Sequence, residues 1–305
     1  MSLLTKISTG TDERSARLAG IGLMLLGVFM FSFGDALGKY LVSTYAVGQL
    51  LWLRACAALL VLSPLIWRQR EKFIGIERPW LQAVRILLST LEVAAFFLAV
   101  VYLPLADVTT YYLACPIFVT AMSALVLREN VGWRRWAAIL IGFGGVLIAL
   151  RPSSQTISWP AMIALGGSLS FSVLMLITRI LRATPDIVMA TTQFVGTFVL
   201  GVLMSPFGWV TPGAGSLAMF AAAGCISVTA LICVNRSLKL APASLVVPYQ
   251  YSMIVWAVMF GITVFGDVPQ PTTIVGAAII IGAGLYIFLR ERKLGREEAT
   301  INPPA

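Results

Sequence analysis

Residues 80–102 form one long apolar run, WLQAVRILLSTLEVAAFFLAVVY, in which Arg85 and Glu92 are the only charged side chains. A helix rises about 1.5 Å per residue, so the run is about 34 Å long and can cross a hydrocarbon core of roughly 30 Å. A strand of a membrane barrel would alternate polar and apolar residues, which this run does not. The backbone groups of a spanning segment must be paired within the bilayer. The run therefore predicts a transmembrane helix.

The same pattern recurs along the whole chain of 305 residues, of which 59% are hydrophobic and 11% are charged. A soluble domain carries roughly 25% charged residues, so soluble and disordered classes are excluded. The first apolar run is too long for a cleaved signal peptide, and residues 1–17 and 291–305 are expected to be cytoplasmic tails. Ten spans are predicted, at residues 18–38, 47–66, 80–102, 106–127, 136–150, 159–178, 187–206, 215–235, 243–265 and 272–289.

The basic residues indicate how the chain is oriented. If the N-terminus is cytoplasmic, the inner loops and tails hold 18 of the 22 Lys and Arg, and the outer loops hold only Lys39 and Arg151. Arg54 and Arg85 lie within spans. Cytoplasmic loops carry the excess of basic residues, and this distribution requires an even number of spans. We therefore expect a multi-pass protein of a bacterial inner membrane with both termini in the cytoplasm.

The two halves of the chain resemble each other at a single offset of 138 residues. Each half then has five spans, an odd number, so the second copy enters the membrane from the opposite side. The expected fold is an all-α polytopic membrane protein with ten transmembrane helices in two inverted repeats, residues 18–152 and 153–290. Chance alignment of two apolar sequences is the alternative. The matched pairs are Ser32 with Ser170, Phe33 with Phe171, Pro104 with Pro242, Tyr111 with Tyr249, Glu129 with Asp267, and Gly144 with Gly282.

Several short motifs extend this pattern: YLPLAD (102–107), ACPI (114–117), LRE (127–129), WRRW (133–136), IGFGGVL (141–147), LAPAS (240–244), PYQY (248–251), GD (266–267) and IGAG (281–284). Their order resembles the EamA-type branch of the drug/metabolite transporter superfamily across residues 18–290. Lys39 at the end of the first span and Arg54 in the second also resemble the family. Glu92 departs from it, because the family commonly has a small residue midway along the third span.

The resemblance implies a basket of ten helices around a central cavity. Helices one, three, four, six, eight and nine would line the cavity, two and seven would form lateral gates, and five and ten a scaffold. It also implies export of amino acids, related metabolites or drugs. Uptake of a cofactor-like solute such as riboflavin or S-adenosylmethionine is the alternative within the same class.

Glu92 is the most informative residue, because a carboxylate in mid-membrane is costly and usually functional. Arg85 and Ser89 precede it on the same helical face. One interpretation is a polar stripe facing an aqueous cavity, with Glu92 binding a cation or carrying a proton. The other is a buried ion pair with Arg54 or Arg85 that fixes helix packing. Arg54 itself either bridges helices or reaches water.

Other polar and aromatic residues are further candidates. Ser32, Asp35 and Lys39 share a face at the outer end of the first span, as a solvated cluster or an outer gate. Tyr111 and Tyr112 before Pro116 correspond to Tyr249 and Gln250 after Pro248. Prolines inside spans free backbone groups beside cavities, and aromatic rings there can stack on a planar or cationic solute. The candidates for cavity lining are Tyr111, Tyr112, Tyr249, Gln250 and Trp256, and Asn235 is either a substrate ligand or a helix cap.

The remaining residue types narrow the function class. The chain has no histidine, and its four cysteines lie in apolar runs, so no metal site or cofactor is expected. The glycines of 142–145 and 282–284 follow no strand and indicate close helix packing instead of nucleotide binding. We expect a secondary transporter of an amino-acid-like, zwitterionic or cationic solute and not an enzyme. It would be driven by a proton gradient or by the solute gradient alone. The expected partners are that solute and the bilayer, with a homodimer as an option and no nucleic acid. A membrane enzyme or a non-transporting scaffold is the remote alternative.

Overall fold

The computed structural model describes residues 3–73, 78–126, 133–150, 158–181, 183–240 and 246–301, and this part of the chain is helical with no strand. Short 3₁₀ helices cover Arg70–Phe73 and Val247–Ser252, and a π-helical turn covers Gly261–Phe265. The α-helices are α1 (Leu3–Val42), α2 (Val47–Arg68), α3 (Pro79–Tyr102), α4 (Leu105–Tyr112), α5 (Cys115–Val126), α6 (Trp133–Leu150), α7 (Trp159–Ile180), α8 (Asp186–Met204), α9 (Ala214–Leu240), α10 (Met253–Phe260) and α11 (Pro271–Ile301).

Six helical segments of the described chain are long and apolar enough to cross a membrane: Leu18–Val42, Val47–Arg68, Pro79–Tyr102, Trp159–Thr178, Asp186–Met204 and Ala214–Ser237. They coincide with six predicted spans, and a polytopic helical membrane protein is confirmed. The other four predicted spans correspond to shorter apolar helices, Leu105–Val119, Trp136–Ala149, Tyr249–Phe265 and Pro271–Tyr286. The count of ten spans stays a prediction.

Helix boundaries follow the local sequence. Pro79 and Pro271 are the first residues of α3 and α11, where the missing N–H costs nothing. The helical conformation is interrupted at residues 113–114, between α4 and α5 and directly before Cys115 and Pro116. The segments expected to be polar tails are largely helical, since α1 begins at Leu3 and α11 continues to Ile301. Arg, Glu, Lys, Ala and Leu dominate the last of these segments, and they are strong helix formers.

The long helices pack in pairs. α1 lies along α9, α2 along α8, α3 along α7 and α6 along α11, and α4 contacts α10. The largest buried cluster includes Leu50, Phe97, Val100 and Phe220, from helices α2, α3 and α9. Helix α1 also contacts α3 and α10, and these three helices carry most of the residues of the candidate site.

Glycine allows the closest approach between α6 and α11. A Cβ placed on Gly145 would lie 2.9 Å from Ile279, and one on Gly276 would lie 2.7 Å from Ala149. Such distances leave no room for a larger side chain. Gly144, in contrast, faces no described atom within 4 Å. The expectation that the glycines of 142–145 and 282–284 pack closely therefore holds for Gly145 and is wrong for Gly144 and Gly282, which both face no described atom within 4 Å. Gly144 and Gly145 differ because they point to different sides of α6.

Candidate functional site

The centre of the site is the guanidinium of Arg54 on α2. Arg54 is 9% exposed, and its Cζ lies 4.9 Å from the centroid of the Phe97 ring on α3. Asp35 of α1 and Glu92 of α3 are its electrostatic partners. In the described part of the chain neither carboxylate comes within the 4.0 Å of an ion pair with Arg54. We call Arg54, Asp35 and Glu92 the central charged cluster.

Several donors around this cluster have no acceptor. Nε of Arg54, Nε1 of Trp256 and the hydroxyl of Ser32 are buried and make no hydrogen bond to the described residues. Ser32 precedes Asp35 by one helical turn on α1, so the two share a face. A buried polar group without a partner costs about 1–3 kcal/mol. Unpaired donors beside two carboxylates are typical of a site that a ligand or water completes.

Tyr112 fixes the helix that carries Glu92. Its hydroxyl donates a hydrogen bond of 3.1 Å to the backbone oxygen of Glu92, and its ring meets Phe96 edge-on with centroids 5.3 Å apart. Tyr112 also interacts electrostatically with both Glu92 and Asp35. Tyr112 thus connects α4 to α3 at the level of the central charged cluster.

An aromatic wall lies between α1 and α10. The rings of Phe29 and Trp256 meet edge-on at 5.0 Å, and Phe260 lies 6.1 Å from Phe29 and 5.8 Å from Phe33. We call these four residues the aromatic wall. Phe29, Ser32 and Asp35 recur every three residues along one face of α1, so the wall and the charged cluster are adjacent. Sequence analysis selected Trp256 but not the phenylalanines, although the spacing of Phe29 and Phe33 marks one helical face.

Lys39 is bound away from Asp35. Its Nζ lies 2.6 Å from Oδ2 of Asp267 and donates a 3.2 Å hydrogen bond to the backbone oxygen of Leu103, and it lies 4.8 Å from the Phe265 ring. The three candidates for an outer gate therefore do not act together. Ser32 and Asp35 lie at the central charged cluster, whereas Lys39 pairs with Asp267. The ion pair joins the end of α1 to the segment that follows α10. We call it the Lys39–Asp267 latch.

Arg85 lies outside the central charged cluster. It is 5% exposed, its Nε donates to Oγ1 of Thr178 at 3.2 Å, and its NH1 donates to the backbone oxygen of Met189 at 3.2 Å. These bonds connect α3 to α7 and α8. Although Arg85 and Glu92 are two helical turns apart in sequence, their described contacts run to different helices. The arrangement favours a bridging role for Arg85.

The other candidates are distributed over the molecule. Tyr111 is 4% exposed in the largest buried cluster, and Tyr249 packs against the cluster of Val28 and Val246. Gln250 is exposed and has no side-chain hydrogen bond to the described residues. Asn235 lines a cavity of about 440 Å³ between the ends of α2, α8 and α9, which we call the α2–α8–α9 cleft. The side chains of Pro116 and Pro248 lie outside the described part of the structure. No group of three or more His, Cys, Asp or Glu able to hold a metal ion occurs among the described residues.

Comparison with known proteins connects this geometry to a class of membrane protein. An S-adenosylmethionine uptake transporter of Rickettsia felis is 25% identical over 92% of this chain and 96% of its own length. A riboflavin transporter of Rhizobium johnstonii is 27% identical over 94% and 96%. The pseudopaline exporter CntI of Pseudomonas aeruginosa is 25% identical over 87% and 94%.

One crystal structure shares the fold with a TM-score of 0.63 at 18% identity, covering 92% of this chain and 99% of that chain. The model of the EamA-like transporter family matches residues 18–151 and again residues 158–289. These two matches cover most of the chain, and this protein therefore belongs to the EamA-like transporter family.

Proposed function

We propose that this protein is a secondary transporter that moves a small zwitterionic or cationic organic solute by alternating access. The observation that carries the proposal is the buried Nε–H of Arg54, which has no acceptor although two carboxylates lie within electrostatic reach. One guanidinium and two carboxylates complement a solute that carries both a carboxylate and a cationic centre. The family membership supports transport as the activity.

Each part of the site has a role in this proposal. Arg54 binds the solute carboxylate, while Asp35 and Glu92 face its cationic centre. Trp256 donates its free Nε1–H, and the aromatic wall accepts a planar or cationic group by stacking or cation–π attraction. Glu92 also serves as the coupling group, since a carboxylate in mid-membrane can alternate between a proton and the solute cation. Tyr112 holds the backbone at Glu92.

The helix contacts support the inverted repeat on which alternating access depends. Exchanging α1 with α7 and α3 with α9 converts the α1–α9 contact into the α3–α7 contact. The α2–α8 and α6–α11 contacts are converted into themselves. Two matches of one family model along the chain point the same way. Such repeats permit one half to rock against the other around a fixed central site.

The orientation and the direction of transport belong to the same proposal. The excess of basic residues in alternate loops favours a cytoplasmic location of both termini, which would put the Lys39–Asp267 latch at the outer face. The latch closes the outer side in this state. We favour uptake of a cofactor-like solute, because relatives over nearly their whole length are named as an S-adenosylmethionine uptake transporter and a riboflavin transporter. Export is the alternative, and the exporter among the relatives supports it.

A ligand screen by thermal shift tests the proposal. The purified protein is heated with S-adenosylmethionine, which has a carboxylate, cationic centres and a planar ring, and separately with methylthioadenosine, which keeps the ring but lacks the charged head. A ligand bound only by the folded state at 100 times its dissociation constant stabilises by about 2.7 kcal/mol. We expect a rise in melting temperature with S-adenosylmethionine and a smaller one with methylthioadenosine. Equal shifts, or shifts retained by Arg54→Lys, would contradict the assigned roles.

A further inference from the structure

The α2–α8–α9 cleft is separate from the central charged cluster and has a volume of about 440 Å³. This is within the range of about 300–1,000 Å³ that is common for ligand sites. Part of the lining is apolar and includes Leu62 and Leu65 of α2, Ile187 of α8, and Leu231 of α9. Such a wall at the end of spanning helices suits a hydrocarbon chain.

The remaining lining includes polar side chains, and the described lining residues carry a net positive charge. Lys72 and Arg236 line it together with Gln69, Asn235 and the carboxylate of Asp186. Lys72 donates a 2.8 Å hydrogen bond to Oε1 of Gln69, which holds the ammonium against the cleft. Two cations and one anion leave a single positive charge, which complements one phosphodiester. Arg236 can grip two oxygens of such a group, while Lys72 acts as a point charge.

We infer that the α2–α8–α9 cleft binds one anionic phospholipid, with part of an acyl chain against the apolar wall and the phosphate between Lys72 and Arg236. The proposed orientation puts this end of the helices at the inner leaflet, where anionic lipids attract basic residues. Helices α2 and α8 pack against each other, and residues of both line this cleft. A bound lipid therefore contacts both helices and bridges the two halves of the protein.

Native mass spectrometry tests the inference with the full chain in detergent and with phosphatidylglycerol or phosphatidylethanolamine added. We expect the wild type to retain one phosphatidylglycerol, and the double variant Lys72→Gln/Arg236→Gln to show at least ten-fold lower occupancy. Both side chains are exposed, so the variant should fold. The matched control is Arg68→Gln/Arg70→Gln, which removes two exposed charges beside the cleft and outside its lining. This control should retain the lipid.

Three outcomes would overturn the inference. Equal retention of phosphatidylethanolamine by the wild type would show that anionic charge is not recognised. Equal loss of lipid in the control variant would show general attraction to a basic surface. If inorganic phosphate alone raised the melting temperature of the wild type as much as phosphatidylglycerol does, the cleft would be an anion site without a role for the acyl chain. Transport of the solute does not enter this experiment, so its result is independent of the proposed function.

Discussion

The Nζ of Lys39 lies 2.6 Å from Oδ2 of Asp267, although 228 residues separate them in the chain. Asp267 lies just after the π-helical turn Gly261–Phe265. This ion pair therefore ties the end of the first spanning helix to the second half of the protein. Lys39 also donates to the backbone oxygen of Leu103. One ammonium thus joins three parts of the proposed outer face, and any opening on that side must break these contacts.

Lys39→Gln should favour the outward-open state. The side chains of Lys39 and Asp267 are 13% and 31% exposed, so we expect the pair to contribute only about 1 kcal/mol, or about five-fold in population. A cysteine at position 32 in a background without other cysteines should therefore react several-fold faster with an impermeant thiol reagent added outside. The charge-exchanged protein, Lys39→Asp with Asp267→Lys, should recover much of the slow rate. Unchanged reactivity in Lys39→Gln would exclude a latch.

Arg85→Gln and Arg54→Gln should differ in what they damage. Arg85→Gln removes two hydrogen bonds. Oγ1 of Thr178 loses this donor, while the backbone oxygen of Met189 still accepts from the hydroxyl of Thr192. The free energy of unfolding should therefore fall by about 1–3 kcal/mol. Solute affinity of the folded fraction should remain near that of the wild type. Arg54→Gln should weaken solute binding at least ten-fold. Thermal melting and ligand titration of both variants measure these two effects. If Arg85→Gln weakened solute binding and Arg54→Gln only lowered stability, both assigned roles would be wrong.

Trp256→Phe should weaken solute binding while preserving the aromatic contact with Phe29. The change removes the Nε1–H together with the five-membered part of the indole, and it keeps an aromatic ring beside Phe29. Loss of the hydrogen bond alone, at about 0.5–1.5 kcal/mol, corresponds to about two- to ten-fold in the dissociation constant. Trp52→Phe is the matched control, because Trp52 lies outside the site and its ring packs against that of Trp209, with centroids 5.3 Å apart. Competition binding should show a loss for the first variant only. Equal affinity of both variants would remove Trp256 from the binding site.

Gly145→Leu should prevent stable folding, whereas Gly144→Leu should be tolerated. The side chain at position 145 would overlap Ile279 of α11, while position 144 faces no described atom within 4 Å. Overpacking of a close helix contact commonly costs about 1–3 kcal/mol and sometimes more. The yield of monodisperse protein after purification, compared between two adjacent residues with the same substitution, measures the difference. Equal yields would contradict the described α6–α11 contact.

Sequence reasoning was strongest where a property is local. Apolar length predicted the spans that include Arg54 and Glu92. It was weakest where the outcome depends on how a helix is rotated against its neighbours. The spacing of Arg85 and Glu92 is compatible with one shared face, but only the packing of α7 and α8 shows that Arg85 turns toward Thr178.

The same limit explains the partner of Lys39. Local spacing pairs Lys39 with Asp35 on one turn of α1, and nothing in a single helix indicates a carboxylate on a distant segment. The offset between the two halves did mark Asp267 as a repeat position, yet the repeat alone does not specify an ion pair. Contacts between the halves depend on tertiary packing. They decide that Asp35 belongs to the central charged cluster and Lys39 to the Lys39–Asp267 latch.

Flux measurements in reconstituted vesicles test most directly the claim that the central charged cluster carries solute coupled to protons. Labelled S-adenosylmethionine is followed with and without an imposed pH gradient, in the wild type and in Glu92→Gln, which keeps the size of the side chain but cannot release a proton. We expect the gradient to accelerate flux in the wild type, and Glu92→Gln to lose this response while solute-for-solute exchange persists. A stable Glu92→Gln protein whose flux still follows the pH gradient would contradict the account.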